Sequence, residues 1–153
     1  MDIEHYYIEK GRGEPLILLH GNGENCDYFK GQIDEFARYY HVYALDTRGH
    51  GNTPRGNAPF TIRQFADDLL GFMDSHGIDK AHLLGFSDGG NIATIKAKTL
   101  VIAGNNDMIK DAHTRFISHS IQDSQLVLIK GNHFIANKCP EAFNRAVLEF
   151  LNS

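Results

Sequence analysis

Gly85-Phe86-Ser87-Asp88-Gly89-Gly90 follows the apolar run Ala81, Leu83, Leu84 and leads into Asn91, Ile92 and Ala93, a stretch suited to open a helix. Gly-x-Ser-x-Gly between a strand and a helix is the nucleophile elbow, a turn so sharp that the serine takes a strained backbone and presents its Oγ at the carboxyl edge of the sheet. Only glycine on both sides lets neighbouring backbone pass that closely. The helix that follows places its free N–H groups beneath the serine, where they suit a developing negative charge. Acyl transfer requires this placement of its nucleophile.

Outward from the elbow, strands and helices alternate. His5 to Lys10 reads as extended and ends at the turn Gly11-Arg12-Gly13. Leu16-Ile17-Leu18-Leu19 is apolar at consecutive positions, as a strand buried on both faces should be. Tyr28 to Tyr39 carries Phe29, Ile33, Phe36 and Ala37 at helical spacing, and Val42 to Leu45 is the next strand. Thr61 and Gln64 form a capping box that opens a helix with Ile62, Phe65, Ala66, Leu69, Leu70 and Met73 on one face, and Gly77 ends it. Strands at 81–86, 99–103 and 125–129 follow, with a helix near 111–119 and a last one from Pro140 to Leu151, where proline suits the first turn. The class is α/β, a mostly parallel sheet with helices on both faces.

In such sheets functional loops gather at the carboxyl ends of the strands. His20-Gly21-Asn22-Gly23-Glu24 follows the second strand and Asp46-Thr47-Arg48-Gly49-His50-Gly51 the third. Ser87 follows the fourth, Gly104-Asn105-Asn106-Asp107 the fifth, and Lys130-Gly131-Asn132-His133 the sixth. A nucleophile, an acid and a histidine therefore stand at successive strand ends in that chain order, which is far more specific than any one of them.

On these residues the chain resembles the α/β-hydrolase superfamily, from about Tyr6 to the C-terminus. Gly-Phe-Ser-Asp-Gly-Gly is similar to the elbow of small ester and C–C-bond hydrolases. The resemblance implies Ser87 as nucleophile, His133 as general base and Asp107 as the group that orients the imidazole, with an oxyanion hole from the backbone N–H groups of Asn22 and Asp88. The chemistry agrees: serine is a weak nucleophile until a base takes its proton, and that base needs a partner to hold its tautomer. Gly21 and Gly23 would let the oxyanion loop come close. His20 is expected to brace that loop, Asp46 and Arg48 to form structural bonds between loops, and Asp107 to cap the segment starting near Ile109 as well. His50 is a loop residue, and the remaining histidines are surface or partly buried fillers.

A chain of 153 residues is expected to form one domain over 1–153, and its net charge of -4 includes no basic stripe for nucleic acid or an anionic membrane. No apolar run approaches the ~20 residues of a membrane span. Cys26 and Cys139 lie far apart without metal-ligand spacing, so two free thiols in a cytoplasmic setting are expected. No cofactor or metal motif is present; a Gly-x-Gly-x-x-Gly after a strand, which a nucleotide-binding reading needs, is missing.

The chain departs from the family pattern after the elbow. The family places a long helix, another strand and a helical cap before the strand carrying the acid, whereas here Ser87 to Lys98 is twelve residues. The expectation is a shortened α/β-hydrolase fold without a cap domain, produced by an internal deletion. A parallel crossover needs about ten to twelve residues, so the strand at 99–103 would pair beside 81–86. Losing one strand would shift Asp107 and His133 by about 4.8 Å, more than the hydrogen-bond reach a triad tolerates. A short hinge and apolar surface left by the absent cap favour a homodimer, domain-swapped where the hinge is strained. The function expected is ester hydrolysis of small molecules through an acyl-enzyme, impaired by the deletion; the alternative is a catalytically silent remnant serving as a scaffold or dimeric interaction module.

Overall fold

The apolar run before His20 becomes an interior strand. The computed structural model describes residues 2–92, 99–120 and 124–153, and the chain divides into two compact units, Met1–Thr94 and Ile95–Ser153. In the first unit β1 (Tyr7–Gly11), β2 (Pro15–Leu19), β3 (His41–Leu45) and β4 (His82–Gly85) form one sheet in the order β1-β3-β2-β4. β1 runs antiparallel to β3, and β2 runs parallel to both β3 and β4. Leu19 is in register with Leu45 on one side and Gly85 on the other. Three parallel strands thus end level, and the loops that follow them start side by side.

Leu16 to Leu19 are each at most 2% exposed, as the consecutive apolar run predicts. Ile17 and Leu19 join Tyr43, Leu45, Leu69, Phe72 and Ile78 in one core cluster, which brings in α2 (Ile62–Ser75) over that face of the sheet. By strand alternation Leu16, Leu18, Val42 and Ala44 face the other way. A 3-10 turn at Cys26–Phe29 and α1 (Lys30–Phe36) pack on β2 and β3 and bury Phe29, Ile33 and Phe36. The helix expected over Tyr28 to Tyr39 is therefore shorter and begins with a tighter turn, in which the Asn25 side chain accepts from Asp27 N at 2.9 Å.

α2 starts where its sequence signals: the Thr61 side chain accepts from Gln64 N at 3.2 Å. The Gln64 amide does not turn back to complete the box; its Nε2 donates forward to Asp68 Oδ1 at 2.9 Å. At the other end Ile78 N bonds Met73 O at 2.9 Å and Gly77 N bonds Asp74 O at 3.3 Å, a Schellman closure with Gly77 at φ 65°. The buried face is rotated from the one the apolar spacing predicts. Leu70 is 54% and Ile62 38% exposed, while Phe72 and Asp68 lie inside. Asp68 is drawn inward by Arg48, which is 0% exposed. The guanidinium makes two parallel bonds to Asp68 at 2.7 Å each and reaches Asp2 at 2.6 Å and Arg55 O at 3.0 Å. Asp2 accepts in turn from Asn57 N at 2.7 Å, so this one side chain ties the N-terminus, the loop after β3 and α2 together.

In the second unit β5 (Thr99–Gly104) pairs in parallel with β6 (Ser124–Ile129), from Thr99↔Ser124 to Gly104↔Ile129. α4 (Asp111–Ser120) lies between them in sequence, and α5 (Ile135–Lys138) and α6 (Pro140–Leu151) follow, with Pro140 in the first turn of α6 as expected. α6 buries Phe143 and Val147. The sheet pairing described for β4 is with β2 and that for β5 is with β6. Residues 93–98, half of the expected twelve-residue crossover, lie outside the described residues. Among the described residues no helix is long and apolar enough to cross a membrane.

Two kinds of pH dependence follow. Burial lowers the pKa of His5, whose Nδ1 has no hydrogen-bond partner, so the folded chain holds it neutral while the unfolded chain binds a proton below its ordinary 6.5. Urea midpoints are expected to fall as pH drops below 6.5, and His5→Phe should reduce that slope. Arg48 holds Asp2 well below the ordinary carboxylate range, and at Asp68 the bonds from Arg48 and Gln64 outweigh a burial that alone would raise it. Their stabilisation is present above about pH 4 and lost below it. Arg48→Ala, which strands a buried Asp68, should cost about 3–5 kcal/mol in urea unfolding at pH 7.

Candidate active site

Ser87 has φ 52°, the only non-glycine residue with positive φ among the described residues. It sits between β4 and a short helix, α3 (Asp88–Ile92), and its side chain is exposed. The elbow is closed by backbone bonds from Phe86 N to Leu19 O at 2.9 Å, Gly89 N to Phe86 O at 2.9 Å and Gly90 N to Ser87 O at 3.0 Å. A Cβ on Gly89 would collide with the carbonyl of Leu19, and one on Gly85 with the backbone of Gly89 and Gly90. Both elbow glycines are therefore required by close approach. The Phe86 ring is stacked on Tyr28, with centroids 4.3 Å apart and planes 16° from parallel.

The loop after β2 runs beside this turn. A Cβ on Gly21 would lie 3.1 Å from the Ser87 Cβ and 3.1 Å from the Phe86 ring, so the expected close approach at Gly21 is present. Gly23 differs: nothing lies within 4 Å of a Cβ there, and its φ of 77° is what favours glycine. Asn22 and Asp88, the two expected oxyanion donors, line one cleft with Gly21 and Gly89. The cleft has about 20 Å³ of room, enough for about one water-sized group. His20 is 1% exposed and braces the loop through Gly21 O at 2.7 Å. Asp46 accepts from Cys26 N at 2.7 Å and Asn52 N at 2.8 Å, the structural bonding expected of it. Burial, with the neighbouring Asp46, pushes the Cys26 thiol up to about 12, so it is inert; Cys26 and Cys139 are both free.

The second unit holds the acid and the histidine. Asp107 follows β5 and His133 follows β6, and the loops between are tied by Asn105 N to Ile129 O and Asn106 N to Gly131 O, each 2.9 Å. Asn105 Oδ1 accepts from Gly131 N at 3.2 Å, a contribution with no motif to announce it. His133 Nδ1 donates to Asp107 Oδ1 at 2.9 Å, with 15% and 7% of the two side chains exposed. Since a carboxylate only accepts, a neutral ring carries its proton on Nδ1 and its acceptor lone pair on Nε2. Asp107 Oδ1 also accepts from Ile109 N at 2.9 Å. That bond is a local turn rather than a helix cap, because α4 begins only at Asp111.

A strand-end serine in a strained turn and a strand-end acid–histidine pair, in that chain order, agree with the sequence comparison, in which the alpha/beta hydrolase fold family matches residues 14–152. The chain belongs to this family. Among curated proteins this alpha/beta hydrolase is 35% identical over 89 residues to (E)-2-((N-methylformamido)methylene)succinate hydrolase of Acinetobacter baylyi, covering 58% of this chain and 34% of that protein. It is 40% identical over 88 residues to the dihydrolipoyllysine-residue acetyltransferase component of the acetoin cleaving system of Cupriavidus necator, covering 57% and 24%. The matched stretch thus spans about a third or less of either relative. Among solved structures the enol-lactonase of Burkholderia xenovorans superposes with a TM-score of 0.92 at 17% identity, covering 99% of this chain and 97% of that one. At that identity the likeness concerns the fold.

Gly89→Ala in this alpha/beta hydrolase should lower the urea midpoint strongly, because the methyl meets backbone. Gly90→Ala is the control: its Cβ would find only Gly85 O at 3.7 Å, an ordinary contact, and its midpoint should stay at or above wild type.

Proposed function

We propose that the chain is a serine hydrolase acting on small esters through an acyl-enzyme. The observation that carries this reading is the 2.9 Å bond from His133 Nδ1 to Asp107, which fixes the tautomer a general base needs. Ser87 Oγ attacks the ester carbonyl as its proton passes to His133 Nε2. The negative oxygen that forms is stabilised by the N–H groups of Asn22 and Asp88. His133 then protonates the leaving alcohol, and water, deprotonated by the same nitrogen, releases the acid and frees Ser87. Asp107 remains ionised and holds the ring in place. The names of the two curated relatives, a hydrolase and an acetyltransferase, support acyl transfer as the chemistry.

The matched stretch covering a third or less of its relatives favours a second reading, a folded scaffold without turnover. One experiment separates the two. A fluorophosphonate probe should label wild type and not Ser87→Ala, and p-nitrophenyl acetate should give a burst of product that Ser87→Ala abolishes. Folded wild type that takes no label rejects the hydrolase. Asp107→Asn keeps an acceptor for Ile109 N but disturbs the tautomer, so kcat should fall by ~10⁴-fold.

A further inference from the structure

The hydrogen bonds around Gly21 have a fixed direction. Thr47 N–H donates to His20 Nε2 at 3.0 Å, so that nitrogen accepts and the ring proton sits on Nδ1, which donates to Gly21 O at 2.7 Å. Gly21 O and the N–H of Asn22 belong to one planar peptide unit and point in opposite directions. Holding the carbonyl therefore aims the N–H. His20 is nearly fully buried, and that burial lowers its pKa, which keeps the ring neutral and the tautomer single.

The chain of bonds continues outward. His50 Nδ1 lies 3.0 Å from Arg48 O, which can only accept, so this nitrogen also carries a proton. The same nitrogen is 3.1 Å from Thr47 Oγ1, and Thr47 Oγ1 is 3.3 Å from His20 Nε2. The threonine hydroxyl thus accepts from His50, and its proton forms the longer arm of a three-centre bond to His20 Nε2, whose single lone pair already accepts from Thr47 N–H at 3.0 Å. The far nitrogen of His50, Nε2, reaches back to the Asn22 side chain at 3.4 Å from Oδ1.

We propose that Thr47 and His50 are positioning residues for the Asn22 N–H: a relay running His50–Thr47–His20–Gly21 sets the orientation of the first oxyanion donor. This rests on the assignment of Asn22 as an oxyanion donor. The groups around the relay are few. His50 stacks on Phe60 at 5.7 Å, with Arg55 lying 4.8 Å from the centre of that ring. Its edge neighbours are His20 at 5.2 Å and Phe65 at 6.3 Å. Asp88 lines the same cleft, and Asp46 acts on His20 from the end of β3.

Thr47→Val tests the relay, since it keeps the volume and the backbone N–H to His20 and removes only the hydroxyl. With p-nitrophenyl acetate kcat should fall about tenfold, a part of the ~10²–10³ that a whole oxyanion donor contributes, while KM stays within about twofold. Thr47→Ser should recover most of that loss, which a purely packing role for the methyl would not allow. A second readout needs no turnover: the Asn22 amide resonance should move in Thr47→Val, as the Gly21–Asn22 peptide loses its fixed orientation, and return close to its wild-type position in Thr47→Ser. A Thr47→Val protein with unchanged kcat overturns the relay, and so does an Asn22 amide resonance that Thr47→Val leaves in place. If wild type takes no fluorophosphonate label, the hydrolase reading fails by itself, and the Asn22 amide shift between wild type, Thr47→Val and Thr47→Ser still decides the relay.

Discussion

The first unit depends on how closely the backbone leaving β4 passes the end of β2. Phe86 N bonds Leu19 O, and three residues further Gly89 lies against that same carbonyl without room for a methyl group. A turn that tight cannot be made from relaxed residues. Ser87 carries the strain at φ 52°, a conformation that costs a non-glycine residue of order 1–3 kcal/mol. What holds it there is the sheet: Leu19 is paired with both Leu45 and Gly85, and Leu16 to Leu19 are buried on both faces. The core of this unit therefore fixes the serine, and the serine has no relaxed alternative while β2 and β4 stay paired.

Much of this was legible in the sequence because a few residues dictate backbone geometry. Gly85, Ser87 and Gly89 specify the elbow, Thr61 and Gly77 mark the ends of α2, and Pro140 opens α6. Consecutive Leu16–Leu19 specify a two-sided strand. The losses came where a polar side chain decided the packing. Apolar spacing pointed the face of α2 toward Leu70, yet Arg48 is buried and needs Asp68, so the helix turns to supply it. Asp2 was silent for the same reason: a carboxylate near the start of a chain has no periodicity, and its role exists only because Arg48 has a third direction to satisfy. Asn105 and Thr47 were likewise unreadable as partners, since their bonds to Gly131 and His20 cross between loops that the sequence keeps tens of residues apart.

The polar groups of both units share a property that matters for the proposed chemistry: their hydrogen bonds have a direction. Thr47 N–H makes His20 Nε2 an acceptor, and Asp107 makes His133 Nδ1 a donor. In each ring one bond decides the tautomer and thereby the role of the other nitrogen. Both rings have their acceptor on Nε2, the nitrogen that a base would use; His20 spends it on Thr47. Nine histidines in the chain are thus not nine candidate bases, and the distinction rests on partners rather than on exposure.

The acid and the histidine also differ from the serine in how they are assembled. Asp107 and His133 follow neighbouring parallel strands, paired from Thr99↔Ser124 to Gly104↔Ile129, and their loops are laced by Asn105 and Asn106. The distance between them is set inside the second unit by that ladder. Both residues belong to the same strand pair, whatever the length of chain upstream of β5. The penalty of about one strand spacing anticipated from the sequence therefore does not fall on the Asp107–His133 bond. The Asp107–His133 geometry is thus a property of the second unit alone, and labelling of Ser87 is what tests the proposed chemistry.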